Sequence, residues 1–289
     1  MTSTIVPLDA IKYQVGAMQQ SAPILQSECI PMAVGYQSNY DQNGNKIYEP
    51  AEMEQRTRQF LMQLSITGIW GQYSWISYFN EWLTRGLLPP VCIDDEPFHG
   101  KTPTIDNLRS TEDINTFWRF YRLEIDFSSS VMPIASFGTW GLPTQKQCTD
   151  PIYRSQHSVV PYLSILPKNG FIHLNCYIQP GNYQWISQVI NRAYTMLVEC
   201  DRADLNFIVW LQPLFLGVNI DPDLPGDEAA SLLVDDDEWT SMLNAVNNSD
   251  QSSFAQVKGI ACWMSWKDNA AWQSRLQFYL DSLATHCAD

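Results

Sequence analysis

The sequence predicts an α/β protein built from parallel strands and intervening helices, and three observations carry that prediction. Short apolar runs alternate with amphipathic stretches of helical period, the βαβ pattern that leaves neighbouring strands parallel. Counting roughly six to eight such strands favours a closed (β/α) barrel over an open doubly wound sheet, which is the alternative. Apolar residues make up 45% and aromatics 12% of 289 residues, enough to bury a large core without disulfides or metals. The chain therefore reads as a single α/β domain over residues 1–289.

The elements follow in order. Cys-Ile-Pro-Met-Ala-Val-Gly at 29–35 has the character of a buried strand, and a polar loop at 36–49 carries the turn cluster Asp-Gln-Asn-Gly-Asn at 41–45. Pro50 opens a helix with Glu52 and Glu54 in its first turn and Phe60, Leu61 and Leu64 on its apolar face. Residues 65–70 suit a second strand. Residues 75–83 suit a helix closed by Arg85-Gly86. An apolar run at 87–93 precedes Asp94-Asp95-Glu96-Pro97-Phe98-His99-Gly100. A helix is expected at 111–121, strands at 122–127 and 131–137, and a Gly- and Pro-containing loop at 138–143.

The second half is more sharply patterned. Gly-Phe-Ile-His-Leu-Asn-Cys-Tyr-Ile at 170–178 is strand-like and ends at Pro180-Gly181-Asn182. Residues 184–200 place Trp185, Val189, Ala193, Met196 and Leu197 at helical spacing. A continuous apolar strand at 206–216 suits burial on both faces. An acidic loop at 219–237 and a helix at 238–246 lead to the last strand, 257–264. The closing helix at 269–283 carries Trp272, Leu276, Tyr279 and Leu283 on one stripe.

Charge and composition exclude several functions. Seventeen basic residues oppose 31 acidic ones, a net charge of −14 that repels phosphate backbones and anionic membranes. No basic cluster with interleaved aromatics offsets it, so nucleic acid is not an expected partner. No apolar stretch approaches 18 residues, so no membrane span is expected, and without a visible signal peptide the expected compartment is the cytoplasm. The seven Cys are dispersed and odd in number, without a C-x-x-C pair; Cys29, Cys176 and Cys262 sit in apolar runs as small hydrophobes. The four His are equally scattered. No metal and no cofactor are expected. Nor is there a Gly-x-Gly-x-x-Gly phosphate loop, an EF-hand spacing or a Gly-x-Ser-x-Gly elbow.

The candidates for chemistry lie where strands end. Glu124 and Asp126 are two apart, so on a strand they share a face and could divide acid and base duties. Their ordinary role would be a solvated face or pairing with Arg119 and Arg122. Asp95, within the run from Asp94 to Glu96, could join His99 in binding a divalent metal or in acid–base work, against the ordinary role of a solvated acidic turn. Trp140 after one strand, and Trp263 and Trp266 around the end of the last, offer flat indoles on which sugar rings can stack, or else a hydrophobic rim. His173 alternates with apolar neighbours, as a hydrogen-bonded core histidine would.

Val-Lys-Gly-Ile-Ala-Cys-Trp-Met-Ser-Trp at 257–266, with the helix after it, resembles the closing strand and helix of sugar-hydrolysing barrels. Those barrels often end a strand with a Gly and a Trp beneath the substrate. The resemblance spans about thirty residues and carries no catalytic signature. It implies a carbohydrate-active protein, a glycoside hydrolase if an enzyme, with a glycan as its partner. Paired carboxylates on one strand lie on one side of the bond, however, whereas glycoside cleavage uses flanking ones. The rival expectation is a non-enzymatic structural or interaction protein, such as a viral or phage component, with exposed aromatics as interface anchors.

Overall fold

The computed structural model describes residues 4–9, 32–34, 39–40, 46–47, 69–70, 73–74, 80, 82–84, 86–94, 122, 125–126, 129–130, 133–215, 225–263 and 270–286. In chain order the strands are β1 (Thr4–Asp9), β2 (Met32–Val34), β3 (Asn39–Tyr40), β4 (Lys46–Ile47), β5 (Ile69–Trp70), β6 (Tyr73–Ser74), β7 (Pro90–Asp94), β8 (Ser136–Thr139), β9 (Phe171–Asn175), β10 (Asn206–Leu211) and β11 (Val257–Trp263). The helices are α1 (Gln145–Thr149), α2 (Pro151–Gln156), α3 (Val160–Leu163), α4 (Gln184–Glu199), α5 (Gly226–Ala230), α6 (Asp236–Asn247), α7 (Gln251–Phe254) and α8 (Ala270–His286). Mixed helices and parallel sheets make this an α/β protein. The chain divides into two compact units, one of residues 1–30, 141–149 and 172–289, the other of residues 31–140 and 150–171.

The first unit is organised by a four-stranded sheet in the order β1-β11-β10-β9. β1 and β10 both run parallel to β11, with Thr4 opposite Gly259 and Val209 opposite Ile260. All six residues of β10 are buried, as a parallel strand covered on both faces requires. α4 buries Ile186, Val189, Ile190, Ala193, Met196 and Leu197, a stripe spaced by three and four, and packs against α1, α6 and α7. α8 lies on β1, β11, α5 and α6, burying Trp272 and Tyr279. Tyr279 lies tilted against Trp239 of α6, ring centres 4.8 Å apart, and its hydroxyl donates to the Val234 carbonyl at 2.6 Å. Arg275 bonds Asp236 and the same carbonyl, tying the start of α6 to α8.

The helix ends explain the loop chemistry around them. Asp235 caps α6 by accepting from Glu238 N at 2.8 Å, while Glu238 Oε2 accepts from Asp235 N at 3.1 Å. This reciprocal box satisfies two donors that the first turn would leave orphaned. α4 closes through Asp201, at φ 56°, where Arg202 N returns to the Leu197 carbonyl at 2.8 Å. A left-handed position of this kind ordinarily takes glycine, because a Cβ crowds the backbone there.

In the second unit β7 lies between β2 and β8, parallel to both. Trp82 is buried against Phe171, edge to face at 5.3 Å. The chain leaves that helical segment through Gly86, at φ 72°, with Gly86 N on the Leu83 carbonyl and Leu87 N on the Trp82 carbonyl. This is the glycine closure the sequence predicts. Two-residue ladders pair β3 with β4 and β5 with β6; the predicted turn cluster at 41–45 falls between the first pair but lies outside the described residues.

Several expectations are corrected. Residues 122, 125 and 126 are helical where a strand is expected, as are 129 and 130 just after it, and Arg122 pairs with Asp126 at i,i+4. Alternation over six residues could not distinguish a strand from a charged helical surface. The strand expected at 131–137 begins only at Ser136, because Pro133 and exposed Ile134 form a turn before it. β1 was not anticipated: its Thr-Ile-Val-Pro-Leu-Asp is short and interrupted by proline. The acidic loop at 219–237 contains α5 and the start of α6, since its carboxylates are first-turn residues and a cap. The expected helices around 50–64 and 111–121 lie outside the described residues.

Two substitutions test the helix ends in opposite directions. Asp235→Ala should cost about 1 kcal/mol by removing the cap, and Asp201→Gly should gain about 1 kcal/mol by relieving the left-handed strain. Urea midpoints at constant slope measure both.

Candidate functional site

Parallel sheets collect reactive groups where strands end and the following loops begin. In the second unit that end is built by β7 and β8. Val91 and Cys92 are fully buried, and Pro90 occupies the first strand position, where its missing N–H is tolerated. The pairing of Ile93 with Thr139 brings both strands to the same edge. β7 stops at Asp94, with Asp95 and Glu96 next in sequence; β8 stops at Thr139, with Trp140 next. Neighbouring strands lie roughly 4.8 Å apart, so the strand-end residues Asp94 and Thr139 stand at adjacent positions. Trp140 is half-buried. Thr139 is buried and its backbone N donates to Tyr162 Oη at 2.8 Å; its Oγ1 has no hydrogen-bond partner among the described residues.

The other unit presents the ends of β9, β10, β11 and β1. Gly141, at φ 66°, lets its N–H reach the His173 carbonyl at 3.1 Å. Gln145, at the start of α1, donates from Nε2 to the carbonyls of Asn175 (2.8 Å) and Tyr177 (3.1 Å). Its Oε1 accepts from Trp185 Nε1 at 3.0 Å. Asn175 turns its Oδ1 onto Tyr177 N at 3.0 Å. β11 ends on Trp263, opposite Asp9 of β1.

His173 has the core role its spacing implies. It is fully buried, and its Nδ1 accepts from Trp210 Nε1 at 3.0 Å. That bond requires Nδ1 to be the unprotonated nitrogen of the ring. Cys92, Cys148 and Cys176 are buried free thiols, and burial, with nearby Cys148 adding to it, pushes the Cys176 thiol far above its ordinary value. Such a sulfur is neutral and unreactive.

The residues singled out from sequence are distributed as follows. Asp126 sits on an exposed helical surface, 3.5 Å from Arg122, with both side chains more than half exposed (55% and 63%). The pairing with Arg122 is the ordinary role considered for it, on a helix rather than a strand. Glu124, Asp95, His99 and Trp266 lie outside the described residues. Trp140 and Trp263 both stand at strand ends, as their spacing predicts. Sequence reasoning missed Gln145 and Asn175, and it assigned Trp185 to the buried stripe of its helix, whereas Trp185 is half-buried at the second position of α4. A first-turn indole one residue off the Ile186 stripe was the available signal. Among the described residues no three His, Cys, Asp or Glu could hold a metal together, and no helix is long and apolar enough to cross a membrane.

The chain matches no protein-family model and no curated protein. Its backbone is similar to solved structures. A monoclinic crystal structure of bee venom hyaluronidase aligns over 98% of both chains with 8% identity and a TM-score of 0.55. The same enzyme in complex with a hyaluronic acid tetramer aligns over 99% of this chain and 98% of that one, with 9% identity and a TM-score of 0.57. A glucosidase from Croceicoccus marinus aligns over 82% of this chain and 47% of that one, at 14% identity and a TM-score of 0.43. At these identities the likeness to the hyaluronidase is one of fold: the chain shares its α/β architecture with a glycan-binding enzyme.

The buried thiol has a measurable consequence. In the unfolded chain Cys176 ionises near its ordinary pKa of about 8.5, while in the fold it stays protonated. The unfolded state therefore binds fewer protons above that value. Stability should fall by about 1.4 kcal/mol per pH unit there, and a Cys176→Ala variant should show a shallower decline. Mass-resolved alkylation of the native protein should label half-buried Cys200 before Cys148 and Cys176.

Proposed function

We propose that this chain is a glycoside hydrolase, built as a (β/α) barrel, that acts on a neutral glycan through the carboxylates following β7. The observation that carries the reading is the parallel register of β7 and β8. It ends the two strands side by side at Asp94 and Thr139, which the sequence follows with Asp95-Glu96 and with Trp140. Carboxylates beside an aromatic platform are what cleavage of a sugar–sugar bond needs. One carboxylic acid protonates the departing glycosidic oxygen, and the indole face stacks on a ring beside it. The similarity to a hyaluronidase over nearly the whole chain supports the same reading.

Within the run, Asp94 and Glu96 flank Asp95, and His99 follows three residues later as a proton partner. A single acidic run supplies one side of the bond, so the attacking group on the opposite face is a substituent of the substrate itself; the acid, left as carboxylate once it has protonated the departing oxygen, then takes a proton from the water that opens the cyclic intermediate. Glu124 and Asp126 are left out of the chemistry, because Asp126 is already paired with Arg122 on an exposed helix.

Charge selects the substrate class. The bee venom enzyme binds a hyaluronic acid tetramer, a polyanion. This chain carries a net charge of −14 and would repel such a polymer before contact. A neutral glycan meets no such barrier.

The test is release of reducing ends from a panel of neutral polysaccharides and from hyaluronan. Cleavage of a neutral member, nearly insensitive to salt, is expected. Glu96→Gln and Asp94→Asn should each lower kcat by about 10²- to 10⁴-fold with little change in unfolding midpoint. Full activity in both variants, or no cleavage of any glycan by the unaltered protein, overturns the proposal.

A further inference from the structure

We infer that the loop following β9 carries a sugar-binding subsite, with Trp185 as its stacking platform, Gln145 as the residue that positions it and Asn175 as a hydrogen-bond donor. The ligand is a neutral pyranose ring. The inference takes its glycan from the reading above but uses residues that reading leaves idle.

The argument starts with an indole that is not packed away. Trp185 is half-buried, while Ile186, Val189 and Ile190 beside it on α4 are fully buried. Its orientation is fixed by hydrogen bonding: Nε1 donates to Gln145 Oε1 at 3.0 Å. Gln145 in turn has no freedom to flip. Both hydrogens of its amide nitrogen are spent, on the carbonyls of Asn175 at 2.8 Å and Tyr177 at 3.1 Å. Reversing the amide would set its oxygen against two carbonyls and its nitrogen against an indole N–H. One glutamine therefore holds a large, partly exposed aromatic ring in a single pose at the C-terminal end of β9.

Asn175 supplies the polar half. It is the last residue of β9 and half-buried, and its Oδ1 is committed to Tyr177 N at 3.0 Å. That bond fixes which end of the amide is the donor. Among the described residues Nδ2 donates to none, which leaves two N–H groups for a sugar oxygen. A preorganised aromatic face with a few placed donors is the composition of a carbohydrate site, because little entropy is lost when the ring settles. A clamp serving only to hold the loop would need the glutamine contacts but not an indole left half-buried.

Calorimetric titration of the full chain with chitotetraose, and with cellotetraose as a second neutral probe, tests this. Trp185→Ala should weaken binding about tenfold, and Trp185→Phe, which keeps a flat face, only about two- to threefold. Gln145→Ala should approach the loss of Trp185→Ala. The double variant should be no weaker than Trp185→Ala alone, since the glutamine acts through the indole. Asn175→Ala should weaken binding separately and additively. Unchanged affinity in Trp185→Ala, or fully additive losses for Gln145 and Trp185, overturns the subsite. If the unaltered protein binds neither tetrasaccharide, the subsite and the glycan reading fall together. If it cleaves them while Trp185→Ala and Trp185→Phe bind normally, the subsite alone falls.

Discussion

The rest of the first unit depends on a strand that sees no water on either face. β10 contributes six buried residues from Asn206 to Leu211, so its polar atoms must be satisfied within the protein. The parallel ladder with β11 satisfies the backbone on one side, and the strand order places β9 on the other. The bulky indole of Trp210 carries one donor that cannot be left unmet, and His173 on β9 accepts it. The same logic repeats one step beyond the strand, where Cys176 N takes the Trp210 carbonyl at 2.9 Å. That contact carries β9 past its last strand residue and presents the loop that Gln145 then fastens. Burial at the centre thus dictates order at the rim.

Patterns that report burial were legible in the sequence, and those that report partners were not. β10, α4, β11 and α8 all stand within a few residues of their expected places, because continuous apolar runs and three-and-four spacing reflect contact with a core. Gly86 and its closure were legible for the same local reason. The stretch at 122–127 misled because Arg-Leu-Glu-Ile-Asp-Phe alternates perfectly while its charges also sit one helical turn apart. β1 escaped notice since a strand held by a partner more than two hundred residues away has no local signature. For the site, the acidic run after β7 and the two strand-end indoles were readable as types and spacings. Gln145 and Asn175 were not: a glutamine acquires meaning only from the carbonyls it meets, and those come from another segment.

Electrostatics and packing divide the work between the two candidate regions. The acidic excess is spread over the whole chain, whereas, among the described residues, the indoles proposed as stacking surfaces stand after β8 and in the first turn of α4. Recognition at the proposed sites would rest on shape and on aligned neutral donors, with little long-range attraction. Slow encounter with a well-fitting ligand is the kinetic expression of that balance.

The pairing of β1 with β11 bears on how the protein is made. Thr4 finds its partner Gly259 only after more than two hundred intervening residues have been synthesised. At ordinary rates of about 5–20 residues per second, the first strand waits on the order of ten seconds or longer outside the ribosome with its ladder unfilled. The sheet is therefore finished in one late zippering step, and β10 keeps an open edge until β11 arrives. Such a chain gains from a holding chaperone during translation, and its yield in a heterologous host depends on elongation speed as much as on final stability.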